Sequence, residues 1–213
     1  MSERHEELLN VYDDEGRVVG AERRRTAKAS GRAVGAVNVL LVNARGEVLL
    51  QRRPPDKENG ARWDKSVGGH VGAGEEFDRA ALREASEELF DEPASPRVQL
   101  VASRGELIER AASLDLSALV VFYRAGLQRG LRDVRHAPGG GLRNVTYHLA
   151  IYLGRTDLAI ERFRPQAAEI EALRYTKVAE IDAMLLRGEL APNMAFLWLT
   201  HARPLLSLIL PRA

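Results

Sequence analysis

The sequence predicts a globular α/β (α+β) domain, and three observations support this prediction. Apolar runs at Val34–Val42 and Glu47–Arg53, separated by an Asn-Ala-Arg-Gly turn, have the length and residue types of two strands. Between Glu75 and Phe90, apolar residues recur at spacings of three and four, as on an amphipathic helix. The chain has 213 residues, of which 45% are hydrophobic and 29% charged, and this is enough to form a sizeable core.

Strands are also predicted on both sides of this central region. Leu8–Tyr12 and Arg17–Gly20 flank an Asp-Asp-Glu-Gly turn, which predicts an N-terminal β-hairpin over residues 8–20. Ser66–Val71 has the pattern of an extended segment and leads into a glycine-rich turn. Val98–Ala102, which is mostly apolar, is predicted to be a further strand.

The segment Glu106–Val134 allows two interpretations. The run Ser117–Tyr123 has the residue types of a strand, whereas the leucines and valine between Leu116 and Leu131 fit helical spacing. We favour the helix. An Ala-Pro-Gly-Gly-Gly stretch at Ala137–Gly141 predicts a break in regular structure after it.

The last quarter of the chain is predicted to close the fold with strands and helices. Asn144–Leu153 and Leu173–Thr176 are predicted strands. Val178–Arg187 and Met194–Ile209 are predicted helices. Pro204 should kink or end the second of these helices, because proline lacks a backbone N–H and its ring clashes with the preceding turn.

Composition and charge exclude several classes of function. Lys plus Arg number 31 against 30 Asp plus Glu, so the net charge of +1 gives no general attraction to nucleic acid or to anionic membranes. The absence of cysteine excludes disulfides, thiolate zinc sites and cysteine nucleophiles. The chain starts without an apolar signal region, and no apolar run approaches the roughly 18–20 residues of a membrane span. We therefore expect a cytoplasmic protein.

Three carboxylates share one face of the predicted helix. Glu84, Glu87 and Glu88 have the i, i+3, i+4 spacing that places side chains together. Like charges at this spacing repel by about 0.2–0.5 kcal/mol per pair, which a divalent cation such as Mg²⁺ would offset. An ordinary solvated helix face explains the carboxylates equally well when they are taken alone.

The glycine-rich loop before this helix shifts the balance towards function. The loop contains Gly68, Gly69, Gly72 and Gly74, which allow the backbone to turn tightly and to approach a ligand. A glycine loop that leads into a helix start is a natural site for anions. Together, the loop and the glutamate face predict a site where metal and phosphate meet.

Residues 69–91 resemble the signature of the Nudix family. This signature is glycine, five residues, glutamate, seven residues, then Arg-Glu-aliphatic-x-Glu-Glu-x-Gly-aliphatic. The positions in register are Gly69, Glu75, Arg83, Glu84, Ala85, Glu87 and Glu88. Phe90 replaces the glycine and Asp91 the final aliphatic residue. Since that glycine normally allows a left-handed helix end, the departure affects the C-terminal cap and leaves the carboxylate face intact.

The resemblance extends beyond this segment, to residues 8–103 and 144–200. Arg62-Trp63-Asp64 followed by Ser66–Val71 is similar to the Nudix branch related to isopentenyl-diphosphate isomerase. Residues 104–143 have no counterpart in that pattern. We therefore predict that they form an inserted, mainly helical element that covers the cleft or makes a dimer contact, because an exposed apolar face of this size would be a liability.

The resemblance implies the Nudix fold, a mixed β-sheet between helices, as a single domain over residues 1–213. It implies hydrolysis of a nucleotide, or of a nucleoside diphosphate linked to another group, with Mg²⁺ or Mn²⁺. By this resemblance, Arg83 and Glu75 orient the helix and its loop. The implied metal ligands are Glu84, Glu87, Glu88 and the backbone carbonyl of Gly69.

The general base and the substrate contacts stay open between alternatives. The segment around Ala168–Tyr175 resembles a late Nudix segment in which Glu169 is the best match for the base and Glu171 the next; Glu88 is a further candidate. Arg52 and Arg53 end a strand near the presumed cleft, where one of them could bind phosphate. Trp63 could stack on a base or pack under the helix. His70 could contact phosphate or pack.

Two rival functions follow from the same resemblance. The related isomerases use a catalytic cysteine and a histidine-rich metal site, and this chain has neither a cysteine nor a histidine at Ser30–Ala33. A Nudix fold that serves as a sensor or scaffold is the second rival, and the intact glutamate face argues against it. RNA decapping gains no support from the neutral net charge. The expected partner is a nucleotide-linked small molecule, with a homodimer as the expected assembly if residues 104–143 make a dimer contact.

Overall fold

The structure is a computed structural model that describes residues 7–57, 59–136 and 142–209. The strands are β1 (Leu8–Tyr12), β2 (Val18–Arg23), β3 (Ala33–Val42), β4 (Val48–Arg52), β5 (Trp63–Asp64), β6 (Val67–His70), β7 (Val98–Val101), β8 (Val120–His136), β9 (Leu142–Arg155) and β10 (Ala172–Thr176). The helices are α1 (Arg24–Ala29), α2 (Phe77–Phe90), α3 (Arg104–Ser113), α4 (Val178–Leu186), α5 (Pro192–Leu197) and α6 (Arg203–Leu205). Within this described part of the chain, no helix is both long and apolar enough to span a membrane.

The described strands form one mixed β-sheet. Its main path runs β10-β4-β3-β9-β8-β7, while β1 and β6 pair with β3, β2 pairs with β1, and β5 pairs with β4. The pairs β3–β9 and β7–β8 are parallel, and the other pairs are antiparallel. The N-terminal hairpin is confirmed, with its second strand extending to Arg23 rather than Gly20.

The sheet lies between two layers of helices, and β3 shows why. Every residue of β3 is buried, so both of its faces are covered. Alternate residues such as Leu40 and Val42 share a core with α1, α4 and α5, whereas Val39 and Leu41 share a core with α2. The predicted mixed sheet between helices is therefore confirmed.

The prediction of a mainly helical insertion at residues 104–143 is wrong. Among the residues of this segment that the structure describes, only Arg104–Ser113 is an α-helix, and Val120–His136 is the long strand β8, which pairs with both β7 and β9. Val120, Val121 and Phe122 are fully buried. A strand covered on both faces is apolar at consecutive positions, and this pattern also fits a buried helix. The break predicted at residues 137–141 lies outside the described residues.

His148 anchors β8 to the N-terminal hairpin. Its Nδ1 accepts a hydrogen bond from the backbone N–H of Gly130 at 3.1 Å, and its Nε2 lies 2.9 Å from the carbonyl oxygen of Asp13. Both contacts are satisfied when the ring is neutral and carries its proton on Nε2. The hydrogen bond to Gly130 fixes β8 just before Leu131.

The closing helix is interrupted where Pro204 requires it. The chain continues from α5 through a π-helical turn, Trp198–Ala202, then α6 and a final 3₁₀ turn, Leu206–Leu208. Proline supplies no N–H and its ring crowds the carbonyl four residues before it, so the preceding turn widens. The chain stays helical through Pro204, so the helix changes type here rather than ending at the proline as one alternative of the prediction had it.

Helix α2 begins and ends differently from the sequence expectation. Glu76 is the extended residue that precedes it, so the helix begins at Phe77 rather than at Glu75, where the sequence pattern begins, and Asp78 is the acid in its first turn. At the other end, Asp91 takes the left-handed conformation with φ of 54°. Phe90, which replaces the family's glycine, is buried in the core and stacks on Phe163. The left-handed cap has thus moved one residue along.

Candidate functional site

Arg83 connects the glycine loop to the carboxylate face of α2. Its Nε and Nη2 donate to the two carboxylate oxygens of Glu75 at 2.9 and 3.0 Å. Its Nη1 donates to Glu84 at 2.9 Å and to Glu87 at 3.1 Å. Nη2 also donates to the backbone carbonyl of His70 at 3.0 Å. One guanidinium therefore fixes the loop, the acid before the helix and two of the three helix glutamates.

The charges of this cluster stabilise one another. Burial alone would lower the pKa of Arg83, but the hydrogen bonds that it donates to Glu75 and the charge of Glu84 outweigh burial and raise that pKa. Burial would likewise raise the pKa of Glu75, yet hydrogen bonds from Arg83 and from the Gly72 N–H leave it lowered. The bidentate Arg83–Glu75 ion pair therefore holds the guanidinium in place beside the helix glutamates.

The three glutamates differ in exposure. Glu84 and Glu88 are only 6% and 4% exposed, whereas the side chain of Glu87 is 36% exposed. Glu88 accepts hydrogen bonds from the backbone N–H of Gly68 at 3.1 Å and from Gln51 Nε2 at 3.4 Å. Burial raises the pKa of Glu84, and the adjacent charge of Arg83 acts in the opposite direction. A nearby cation stabilises the charged form of such a buried carboxylate.

Gly69 lies directly against Glu84. A Cβ at this position would overlap the carboxylate of Glu84, so only glycine fits. Gly69 belongs to β6, where it pairs with Val37 of β3. The glycine at this point of the loop therefore allows the sheet backbone to approach the helix face closely.

The donor set suits a hard divalent cation bound together with a ligand. Among the residues that the structure describes, no three histidine, aspartate or glutamate side chains converge as a preformed metal cage. Three carboxylates nevertheless share one helix face, and the guanidinium of Arg83 bridges two of them. Mg²⁺ usually takes one or two carboxylates and completes its shell with water and phosphate oxygens. The residues fit such a cation.

The glutamate face lines a cavity of about 640 Å³. This volume lies within the range of small-molecule sites, roughly 300–1,000 Å³. The candidate residues that line it are Arg53, Gly69, His70, Arg83, Glu84, Glu87, Glu88 and Glu169. Residues from the segment predicted as an insertion also contribute to its wall, since Leu131, Arg132 and Asp133 of β8 line it.

Two of the predicted substrate contacts lie outside this cavity lining. Arg52 is 40% exposed, donates to the carbonyl of Ala61 at 3.2 Å and lies 3.5 Å from Glu171. Trp63 packs against the core on the sheet face opposite α2, and the guanidinium of Arg174 lies over its ring at 4.2 Å. The indole thus neither stacks in the cavity nor packs under the glutamate helix.

Glu169 and Glu171 differ in exposure and in their position relative to the cavity. Glu169 lines the cavity, is 8% exposed, and forms an ion pair with Lys57 at 3.1 Å. Glu171 is 37% exposed and does not line the cavity. Of the two candidate bases in the late segment, Glu169 is therefore the one placed beside the helix glutamates.

Sequence reasoning missed several polar residues of the cavity wall, among them Asn38 and Lys65. Asn38 carries a signal that was visible in the sequence: in β3, Ala-Val-Gly-Ala-Val-Asn-Val-Leu-Leu-Val, it is the sole polar side chain. A buried polar residue in an otherwise apolar strand needs a reason. Lys65 carries no such signal, because a lysine beside a short loop is usually exposed.

Curated relatives match the part of the chain that carries this site. An uncharacterised Nudix hydrolase of Streptomyces coelicolor is 46% identical over 85 residues, which are 39% of this chain and 47% of that protein. The isopentenyl-diphosphate Δ-isomerase of Paenarthrobacter aurescens is 38% identical over 85 residues, 39% of this chain and 46% of that protein. The chain thus spans about half the length of the curated relatives it matches.

The fold and a family model extend the likeness to most of the chain. A crystal structure from Deinococcus radiodurans superposes with a TM-score of 0.58 at 23% identity, over 90% of this chain and 96% of that one, which shows a common fold. The model of the NUDIX domain matches residues 32–196. This match includes the whole glycine loop and glutamate helix, and the chain therefore belongs to the Nudix family.

Proposed function

We propose that this protein hydrolyses the pyrophosphate bond of a nucleoside diphosphate derivative or another nucleotide, with Mg²⁺ or Mn²⁺ as cofactor. The observation that carries this proposal is the convergence on one cavity of Glu84, Glu87, Glu88 and the glycine loop. Membership of the Nudix family and its named hydrolases support the reaction class.

The helix glutamates would hold the cation, with the backbone carbonyl of Gly69 as a further ligand. When bound, the cation would neutralise phosphate oxygens and lower the pKa of water in its shell. Arg83 and Glu75 act as positioning residues, because their ion pair fixes Glu84 and Glu87 relative to the loop. Arg53, which lines the cavity and lies 3.4 Å from Asp64, supplies positive charge for the substrate's phosphates.

Apolar and aromatic side chains also line the cavity, and they support a substrate with an organic group. Its wall includes Ala36, Leu131, Tyr147, Leu149 and Phe196. Such side chains bury apolar and planar surface, whereas the glutamate side faces charge. A pyrophosphate linked to a nucleoside would use both sides, and inorganic pyrophosphate would use only one.

Glu169 is proposed as the general base that takes a proton from the attacking water. Replacing it by glutamine should lower kcat about 10²-fold or more and remove the acidic limb of the pH–rate profile. The limb disappears because a base is active only when deprotonated, and glutamine has no such titration. The measurement is kcat against pH at saturating substrate and metal.

Glu171→Gln is the matched comparison for this variant. It lies two residues away and outside the cavity lining, so it should keep both kcat and the acidic limb. If Glu169→Gln retained full kcat and an unaltered limb, Glu169 would leave the mechanism. A limb that disappeared with Glu88→Gln instead would assign the base to the helix.

A substrate panel tests the rival function of a sensor. Nucleoside diphosphates, nucleoside triphosphates, sugar nucleotides and dinucleoside polyphosphates would be incubated with Mg²⁺, and the phosphate-containing products identified. Hydrolysis of at least one class is expected. Binding without turnover across the panel would overturn the enzyme proposal in favour of a sensor. The similarity to an isopentenyl-diphosphate isomerase does not carry that activity over, because this chain has no cysteine.

A further inference from the structure

Asn38 and Lys65 form a polar part of the cavity wall, called here the polar floor, next to the glutamate face. Both side chains line the cavity, although the residues are only 6% and 4% exposed. Asn38 lies on the central strand β3, and Lys65 lies in the short connection between β5 and β6. Both are therefore held by the sheet rather than by a surface loop.

Lys65 keeps unused hydrogen-bonding capacity in this buried position. Its Nζ forms an ion pair with Asp64 at 3.1 Å, and within the described part of the chain this is its only side-chain partner. The same carboxylate lies 3.4 Å from Nη1 of Arg53. One aspartate thus faces two cations, and an ammonium group has three donors. Buried charge is costly unless it is paired, so this wall of the cavity favours an anion.

Asn38 is similarly unsatisfied. Its side chain forms no hydrogen bond with any residue that the structure describes. The residue is 6% exposed, and its amide remains available to a partner in the cavity. Since the side chain lines the cavity, a ligand or water in the cavity would complete its hydrogen bonding.

Gly68 lies next to the side chains of both Lys65 and Asn38. A Cβ on Gly68 would lie 2.9 Å from Lys65 Nζ and 3.4 Å from Asn38 Oδ1, and it would also overlap the lysine chain. The glycine therefore makes room for the lysine. The backbone N–H of Gly68 donates to Glu88 at 3.1 Å, so this point adjoins the proposed metal ligands.

We propose that Asn38 and Lys65 form an oxyanion subsite that binds the phosphoryl group of the substrate next to Glu88. This inference rests on the proposed function for the identity of the anion. The ammonium group of Lys65 supplies charge, and the amide N–H of Asn38 supplies a directed donor. With the glutamate-bound cation on one side and this floor on the other, a diphosphate would be held from both sides.

The test uses methylenediphosphonate, a diphosphate analogue with a non-hydrolysable P–C–P bridge, titrated calorimetrically in the presence of Mg²⁺. Lys65→Met keeps the length and bulk of the side chain and removes the charge, so Kd should rise at least tenfold. Asn38→Ser should raise Kd severalfold. Arg110→Met is the control: this exposed arginine of α3 lies outside the cavity lining and should leave Kd within twofold.

Each outcome decides the inference. If Lys65→Met binds the analogue as the wild type does, or if the wild type does not bind it at all, the subsite is overturned. If Lys65→Met fails to fold in a thermal melt, Asn38→Ser decides in its place. A wild type that binds the analogue in a Lys65-dependent way but hydrolyses no nucleotide would overturn the proposed function and leave the subsite standing. If the wild type hydrolyses a nucleotide and neither variant changes Kd, the proposed function stands and the subsite is overturned.

Discussion

Glu87→Gln or Glu88→Gln should lower kcat about 10²–10³-fold while the protein stays folded. Glutamine keeps the shape of the side chain, and its carbonyl oxygen can still accept the Gly68 N–H that Glu88 accepts. It loses the negative charge that would hold the cation, which is worth several kcal/mol in the transition state. The measurement is kcat at saturating substrate and Mg²⁺, with circular dichroism to follow the fold.

A control at the residue before the same helix separates metal binding from general charge effects. Glu76 is the exposed residue that precedes α2 and does not line the cavity, so Glu76→Gln should keep wild-type turnover. The Mg²⁺ concentration needed for half-maximal activity should rise for Glu87→Gln and stay constant for Glu76→Gln. Near wild-type turnover of either Glu87→Gln or Glu88→Gln at saturating Mg²⁺ would show that the metal assignment is wrong.

Phe90→Gly should lower the free energy of unfolding by about 3–5 kcal/mol, although glycine is the family residue at this position. Phe90 is 2% exposed, stacks on Phe163 with ring centroids 5.8 Å apart, and has the guanidinium of Arg97 over its ring at 4.2 Å. Glycine would leave a cavity in this core and would add a helix cost of about 1 kcal/mol. The measurement is the urea midpoint at unchanged m-value.

Asp91→Gly is the matched variant for this experiment. Asp91 holds the left-handed cap with φ of 54°, where glycine is favoured over an L-residue. We expect it to increase the free energy of unfolding by up to about 1 kcal/mol. If Phe90→Gly were as stable as the wild type, the cap would not have moved to residue 91, and the account of this helix end would be wrong.

The sequence predicted most of the local structure because that structure depends on near neighbours. The helix around Glu84 follows from spacings of three and four residues, and the structure has it at Phe77–Phe90. The strands β3 and β4 follow from apolar runs with a turn between them. The failure at Val120–His136 has the opposite cause: its apolar run allowed either structure, and only pairing with β7 and β9 makes it a strand.

The sequence by itself determined which carboxylates share one face of helix α2. The spacing of Glu84, Glu87 and Glu88 places three carboxylates together on any helix, and Gly69 and Glu75 stand at fixed distances before them along the chain. Local geometry therefore predicts the candidate metal-binding surface without knowledge of the rest of the fold.

Only the tertiary structure decided which distant residues meet this face. Glu169 lines the same cavity and Glu171 does not, although both stand in one short segment. Asn38 and Lys65 reach the cavity because β3 pairs with β6 in the register that sets Asn38 opposite Gly68. Strand order and register join residues that are far apart in the chain, and a shift of one residue would turn each side chain to the other face of the sheet. No local pattern contains that information.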